Sequence, residues 1–147
     1  MSLLKLIGVL LDYPQDDLWQ HGDELVSAVQ DAGLPARRRE DLLHFVRALL
    51  AQDALDAQDR WLLLFDRGRS MSLLLFEHIH GESRDRGQAM VNLMEAYRKN
   101  GFALATKELP DYLPLVLEYL SHRPMEEAVD WLRNLQHIIA LLAARAE

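Results

Sequence analysis

The stretch Glu77-His78-Ile79-His80-Gly81-Glu82 holds the residue types best suited to chemistry, two histidines between two carboxylates. Imidazole and carboxylate are zinc donors. The spacing argues against a metal, however. A metalloprotease helix places its histidines four apart, with a glutamate after the first, so that both rings leave one face. His78 and His80 are two apart and leave different faces of a helix. The plainer reading is a helix end with polar capping groups. A metal-dependent hydrolase built on His78 and His80 stands as the enzymatic alternative.

Other catalytic arrangements find no support. Ser70, Ser72 and Ser83 lack the Gly-x-Ser-x-Gly elbow. Gly68 and Gly81 stand alone, and no glycine-rich phosphate loop is present. Glu126 and Glu127 are adjacent, so on a helix they point apart. With no cysteine in the chain, thiolate zinc sites, disulfides and cysteine nucleophiles are excluded. The residues therefore predict no enzyme and no resident cofactor.

Two polar clusters and one proline-bracketed segment remain. Asp66, Arg67 and Arg69 form the first cluster, and Glu82, Ser83, Arg84, Asp85 and Arg86 the second. Glu82 and Arg86 are four apart in the order that favours a helical ion pair. The clusters read either as two turns that meet and orient a groove, or as arginine braces between helix junctions. In Glu108-Leu109-Pro110-Asp111-Tyr112-Leu113-Pro114, two prolines bracket a helix start. Asp111 suits the N-cap and Pro114 the first turn, where a missing amide is tolerated. Such a stiff, acidic junction suits peptide docking and equally reads as an ordinary helix start.

Helices must position these groups. Leu3, Ile7 and Leu10 share a face of a first helix that Asp12-Tyr13-Pro14 ends. A second runs from near Asp16, its N-cap, to Gly33. Pro35 opens a third, carrying Leu42, Leu43, Phe45, Val46, Leu49 and Leu50. Asp53 caps a fourth containing Leu55, Trp61, Leu62, Leu64 and Phe65. Leu73-Leu74-Leu75-Phe76 is ambiguous between buried helix and strand, and the helical surroundings favour helix. Ser83 to Gly101 forms the next, and 102–110 reads as a linker. Asp111 to Pro124 follows. The last helix places Ala128, Leu132, Leu135, Ile139 and Leu142 on a seam in steps of four and three. The expectation is an all-α, irregular single-domain bundle of about seven helices. The last pattern meets no stop signal before Glu147, so a chain cut in or after that helix, or continuing in its natural form, is expected.

At 147 residues the chain suits one domain, and 50% hydrophobic residues supply a core. A formal net charge of -7 disfavours nucleic acid, whose phosphates need lysine and arginine. It suits a basic peptide partner. The N-terminal stretch has only Lys5 as a basic residue and no small-residue cleavage site, so it does not read as a secretory signal. No apolar run is long enough to span a bilayer.

Several segments carry a resemblance. Leu10-Leu11-Asp12-Tyr13-Pro14, Leu64-Phe65-Asp66-Arg67-Gly68-Arg69, the long run from Ser72 to Val91, Glu108 to Pro114 and Leu117-Glu118-Tyr119-Leu120 resemble the NarJ-type nitrate reductase delta-subunit chaperones. These belong to the wider TorD/DmsD redox-enzyme maturation family. The resemblance covers nearly the whole chain. It implies an all-helical, cytoplasmic chaperone that binds the N-terminal segment, a remnant twin-arginine leader, of the nitrate reductase alpha subunit. Molybdenum cofactor insertion would precede attachment to the membrane subunit. The family's Glu-x-Pro-Asp-His-type junction falls on Glu108, Pro110, Asp111 and Tyr112, with tyrosine in place of histidine. The implied peptide-binding residues are Glu108, Asp111, Tyr112, Leu115, Glu118 and Tyr119, with Asp111 and Glu118 as rim acids. Mostly monomer is expected, with a dimer as the variant; a scaffold using the last-helix seam is the third reading.

Overall fold

A computed structural model describes residues 2–66, 68–105 and 107–147. The described residues form nine α-helices and one 3-10 turn, with no strand. Helix α1 (Leu3–Leu11) is apolar almost all round, and such a helix must be covered on more than one side. It stands between two clusters of buried side chains. Leu6, Val9 and Leu10 pack with α2 (Asp17–Gln20), α3 (Gly22–Gln30) and α4 (Ala36–Ala51) around Leu18, Leu25, Val29 and Val46. Leu4 and Leu11 pack into the larger cluster, with α6 (Leu75–Ile79), α7 (Asp85–Lys99), α8 (Leu113–Ser121) and α9 (Met125–Ala146).

The second expected helix is in fact two. His21 leaves helical geometry between α2 and α3. Gly22 opens α3 where a Cβ would come within 3.0 Å of Leu50 Cδ1, so the break lets this corner sit tightly on α4. With this split, and with the short α6 that the sequence also sets apart from α7, the described residues hold nine helices rather than about seven. The other helix ends fall close to where the sequence places them. Gly101, at φ +70, ends α7 in a left-handed turn. Phe102 N–H donates to Tyr97 O at 2.8 Å and Gly101 N–H to Arg98 O at 3.2 Å, a Schellman pair, with the Phe102 and Tyr97 rings 5.1 Å apart.

The stretch Leu73–Phe76 is only half helical. Leu74 forms an isolated antiparallel bridge with Tyr112, and α6 starts one residue later. Asp111 is responsible. It does not cap its own helix, whose N-cap position is held by Tyr112. Instead its backbone carbonyl accepts Leu75 N–H at 3.1 Å, and its carboxylate Oδ2 accepts Phe76 N–H at 2.9 Å. The first two amides of α6 are therefore satisfied from a segment 35 residues away.

The expected seam on α9 is largely spent inside the fold. Ala128, Leu135 and Leu142 are buried, and Ile139 is the exposed member. Arg145 donates to Ser70 O at 2.6 Å, tying the end of α9 to the 3-10 turn Arg69–Met71.

Helices α1 and α8 touch through backbone. A Cβ on Gly8 would lie 3.0 Å from Pro114 O, an atom fixed within a helix. Gly8→Val is expected to lower stability by about 1–3 kcal/mol through overpacking, read from the urea midpoint. Asp111→Ala should cost about 1–3 kcal/mol by leaving a buried amide unpaired, and Asp111→Asn less, in the same assay.

Candidate functional site

The Pro110–Leu113 junction is tethered at every residue. Tyr97 Oη donates to Pro110 O at 2.7 Å. Asp111 holds the start of α6 as described. Tyr112 Oη donates to Asp12 Oδ1 at 2.7 Å, and the same oxygen accepts Tyr13 N–H at 2.8 Å. Leu113 N–H donates to Leu73 O at 2.8 Å. One short segment thereby binds α6, α7 and the turn after α1 to the head of α8.

Two cavities open on either side of this junction. The smaller, about 210 Å³, lies between α1 and α8 and is lined by Lys5, Val9, Asp12, Glu108, Tyr112, Leu115 and Glu118, with Gly8 and Pro114 at its floor. The larger, about 470 Å³, lies against the end of α5 (Ala54–Phe65) and is lined by Trp61, Leu62, Phe65, Leu73, Leu74 and Tyr112, with Asp66, Arg69, Glu77 and Glu108. Glu108 and Tyr112 line both, so the two adjoin at these residues, and together they make up the trough. Among the described residues, five carboxylates (Asp12, Asp66, Glu77, Glu108 and Glu118) border it, against two cations, Lys5 and Arg69.

Four of the six expected peptide-binding residues thus converge: Glu108, Tyr112, Leu115 and Glu118. Two do not. Asp111 is fully buried and caps α6, so it is not a rim acid. Its preceding and following residues are pinned, which turns the carboxylate inward. Tyr119 packs away from the cavity, in an aromatic cluster with Tyr97, Phe102 and Trp131 at centroid distances of 4.6, 5.5 and 5.8 Å. Glu118 and Tyr119, adjacent in sequence, leave the helix about 100° apart, with Leu115 between them, so Glu118 turns to the cavity and Tyr119 to the core.

The polar clusters meet as expected, but with exchanged partners. Glu82 pairs with Arg69 at 2.6 Å across the two turns rather than with Arg86. Helix α7 begins at Asp85, so Glu82 lies in the turn before it and the four-residue helical geometry does not arise. Arg86, half-buried, pairs with Glu77 at 3.7 Å. The exposed Arg69–Glu82 hydrogen bond raises the arginine pKa and lowers that of the glutamate. Arg84 is exposed at the start of α7, Asp66 is exposed at the end of α5, and Arg67 lies outside the described residues. The two histidines do not act together. His78 Nε2 lies 2.7 Å from Ser72 O, while the His80 ring packs against Phe76 at 5.4 Å. Among the described residues, no three His, Asp or Glu side chains are grouped to hold a metal ion.

The residues not anticipated for the site are Lys5, Val9, Asp12 and the α5 wall. A signal for the wall was present: Trp61 to Phe65 is five apolar residues in a row, more than one buried helix face can use. Leu62 and Leu63 are accordingly 43% and 72% exposed. Trp61 is anchored there, its Nε1–H donating to Leu11 O at 3.0 Å and its ring meeting Tyr13 edge-on at 5.5 Å.

Comparison with known proteins decides the family. The profile described as "Nitrate reductase delta subunit" matches residues 31–147. The chain belongs to the nitrate reductase delta subunit family. It is 50% identical over its whole length to the nitrate reductase molybdenum cofactor assembly chaperone NarJ of Escherichia coli K12 and covers 63% of that protein. It is 48% identical to the probable assembly chaperone NarW of the same strain, over 99% of the chain and 60% of that protein. A probable NarJ of Bacillus subtilis is 29% identical over 96% of the chain and 76% of that protein. The chain thus spans somewhat under two thirds of the length of the two Escherichia coli relatives. In this delta subunit family member the trough takes Asp12, Phe65, Asp66, Gly68, Arg69, Glu108, Tyr112 and Pro114 from segments that carry the resemblance, Leu10–Pro14, Leu64–Arg69 and Glu108–Pro114.

Burial, and for Tyr112 the bond to Asp12, raises the phenol pKa of Tyr97 and Tyr112 above the ordinary value of 10.0. A raised folded-state pKa contributes stability that is complete below the unfolded value and is lost as pH rises through the folded value. Stability should therefore hold to about pH 10 and fall above it. Alkaline titration followed by tyrosinate absorbance should show the Tyr97 and Tyr112 phenols ionising only with unfolding. Tyr112→Phe should show one such phenol fewer than wild type, and the variant should lose about 1 kcal/mol.

Proposed function

We propose that the chain is a system-specific assembly chaperone, not an enzyme. It holds the N-terminal segment of the catalytic alpha subunit of a respiratory nitrate reductase while the molybdenum cofactor is inserted and before membrane attachment. The relatives named as molybdenum cofactor assembly chaperones support the general role. The observation that carries the reading is the trough at Tyr112, with an apolar wall of Trp61, Leu62 and Phe65 and five bordering carboxylates. A cationic amphipathic segment would bury its apolar face there and meet the carboxylates with its basic residues.

The same reading places the protein in the cytoplasm, as one domain, mostly monomeric, with no cofactor of its own and no nucleic-acid partner. Among the described residues no helix is long and apolar enough to cross a membrane. No observation favours the hydrolase reading, since His78 is already engaged by a backbone carbonyl. The scaffold reading loses most of its seam to the core of the fold.

Titration calorimetry with a peptide from the alpha subunit N-terminus is expected to give one-to-one binding, and a scrambled peptide much weaker binding. Glu118→Lys should weaken the complex about tenfold, and raised salt should weaken the wild-type complex. Equal affinity for both peptides, or an unchanged Glu118→Lys affinity, would remove this reading.

A further inference from the structure

Helix α5 carries more apolar surface than the trough uses. Leu55, Asp59, Leu62 and Asp66 follow one another in steps of four, three and four, so they share one face of the helix, with Asp66 at its C-cap. Ala57, Trp61, Leu64 and Phe65 turn inward instead. Leu55 is 64% exposed, and Leu63 beside the stripe is more exposed still. Leu62 and Asp66 line the larger cavity, while Leu55 and Asp59 line neither. The stripe therefore runs out of the trough without a break, for about 16 Å along α5.

The fold accounts for only part of the charge on this helix. Residues 53–67 include four aspartates and two arginines. Asp53 and Asp56 sit at the N-cap and in the first turn, where carboxylates suit the helix dipole. Asp59 lies in mid-helix, and Asp66 at the C-terminal end, where negative charge is disfavoured. Both are exposed, and no described residue pairs with either side chain. Arg60 stands about 100° round the helix from Asp59, off the stripe. A second copy of the chain is a poor cover for this face. Antiparallel pairing of Leu55 with Leu62 would bring two Asp59 carboxylates together, and parallel pairing would do so at both Asp59 and Asp66.

We infer that the outer stripe of α5 is a docking track for the same guest. Beyond the part held in the trough, the guest continues as a helix along α5. Its apolar side chains cover Leu55 and Leu62, and its basic side chains meet Asp59 and Asp66. The inference rests on the reading that the trough holds a cationic amphipathic segment, and it adds a second contact region and a conformation for the guest. A stripe spaced by fours and threes is matched by a helix with the same spacing. Two contact regions joined in one guest reinforce each other through effective concentration, so affinity rises when the guest is long enough to reach both.

The test uses the full chain with ¹⁵N label and two peptides from the alpha-subunit N-terminus, one sized to the trough and one longer by about 12 residues. The shorter peptide should shift the Trp61 indole N–H alone. The longer one should also shift the amides of Leu55 and Asp59, and should bind about tenfold tighter in calorimetry. Asp59→Lys and Leu55→Gln, both at exposed positions outside the two cavities, should remove that gain and leave the Kd of the shorter peptide unchanged. The track is overturned if the longer peptide binds no tighter, if it leaves the Leu55 and Asp59 amides unshifted, or if Asp59→Lys keeps the gain. It is also overturned if light scattering shows a dimer that Leu55→Gln dissolves, since a second copy then covers the face. The trough reading survives each of these results through its binding of the shorter peptide. If neither peptide binds the wild-type chain, the guest reading fails, and the track with it. The labelling arm uses the wild-type chain, so it stands even where a variant does not fold.

Discussion

The short junction from Pro110 to Leu113 is the constraint on which the rest of the molecule depends. Up to Tyr112 it is not helical, and Leu113 is the first residue of α8, so its backbone groups are free to bind other segments. Its carbonyls take the Tyr97 hydroxyl and the Leu75 amide, its amide meets Leu73, and its side chains reach Phe76 and Asp12. Buried polar groups are expensive unless paired, so each of these bonds fixes a distance between segments far apart in sequence. The proline at its start and the one just inside α8 keep the connection stiff. Where helices alone would slide, the junction sets the height at which α1, α6 and α8 meet. The two halves of the trough lie on either side of it.

Much of this was legible in the sequence, because helix limits are local. Pro14, Gly33, Pro35, Gly101 and Pro124 act within one turn of their own positions, and the structure ends or starts helices beside each. What was not legible depends on distant partners. Asp111 has the residue type and position of a local cap, and its carboxylate oxygen instead finds an amide 35 residues upstream. Glu82 has the spacing for Arg86, but the helix that would give the spacing meaning starts three residues later, and Arg69 is nearer. Tyr119 lies beside Glu118 in sequence and is turned about 100° away from it into an aromatic cluster. In each case the partner was set by tertiary packing, which the local sequence does not carry.

The site itself was half visible. Glu108, Tyr112, Leu115 and Glu118 follow from one segment and one helix face. The facing wall comes from α1 and α5, whose contributions only the fold brings opposite. Trp61 illustrates the difference: its place in an apolar stripe marks it for burial, yet its indole is spent on bracing the Leu11 carbonyl while the adjoining Leu62 stays largely uncovered. A helix with more apolar residues than its inner face can use has something left over for a partner.

The bond between Tyr112 and Asp12 joins residues 100 positions apart. As the chain leaves the ribosome, α1 emerges before α8 and remains without that neighbour until the helices between them have been made. Its Leu4 and Leu11 have no lasting shelter during that interval, because the larger cluster they enter is assembled almost wholly from later helices. Non-local closure of this kind is slow and leaves sticky intermediates. A protein whose proposed work is to shelter a segment of another chain must therefore wait for an early-made helix of its own to be sheltered.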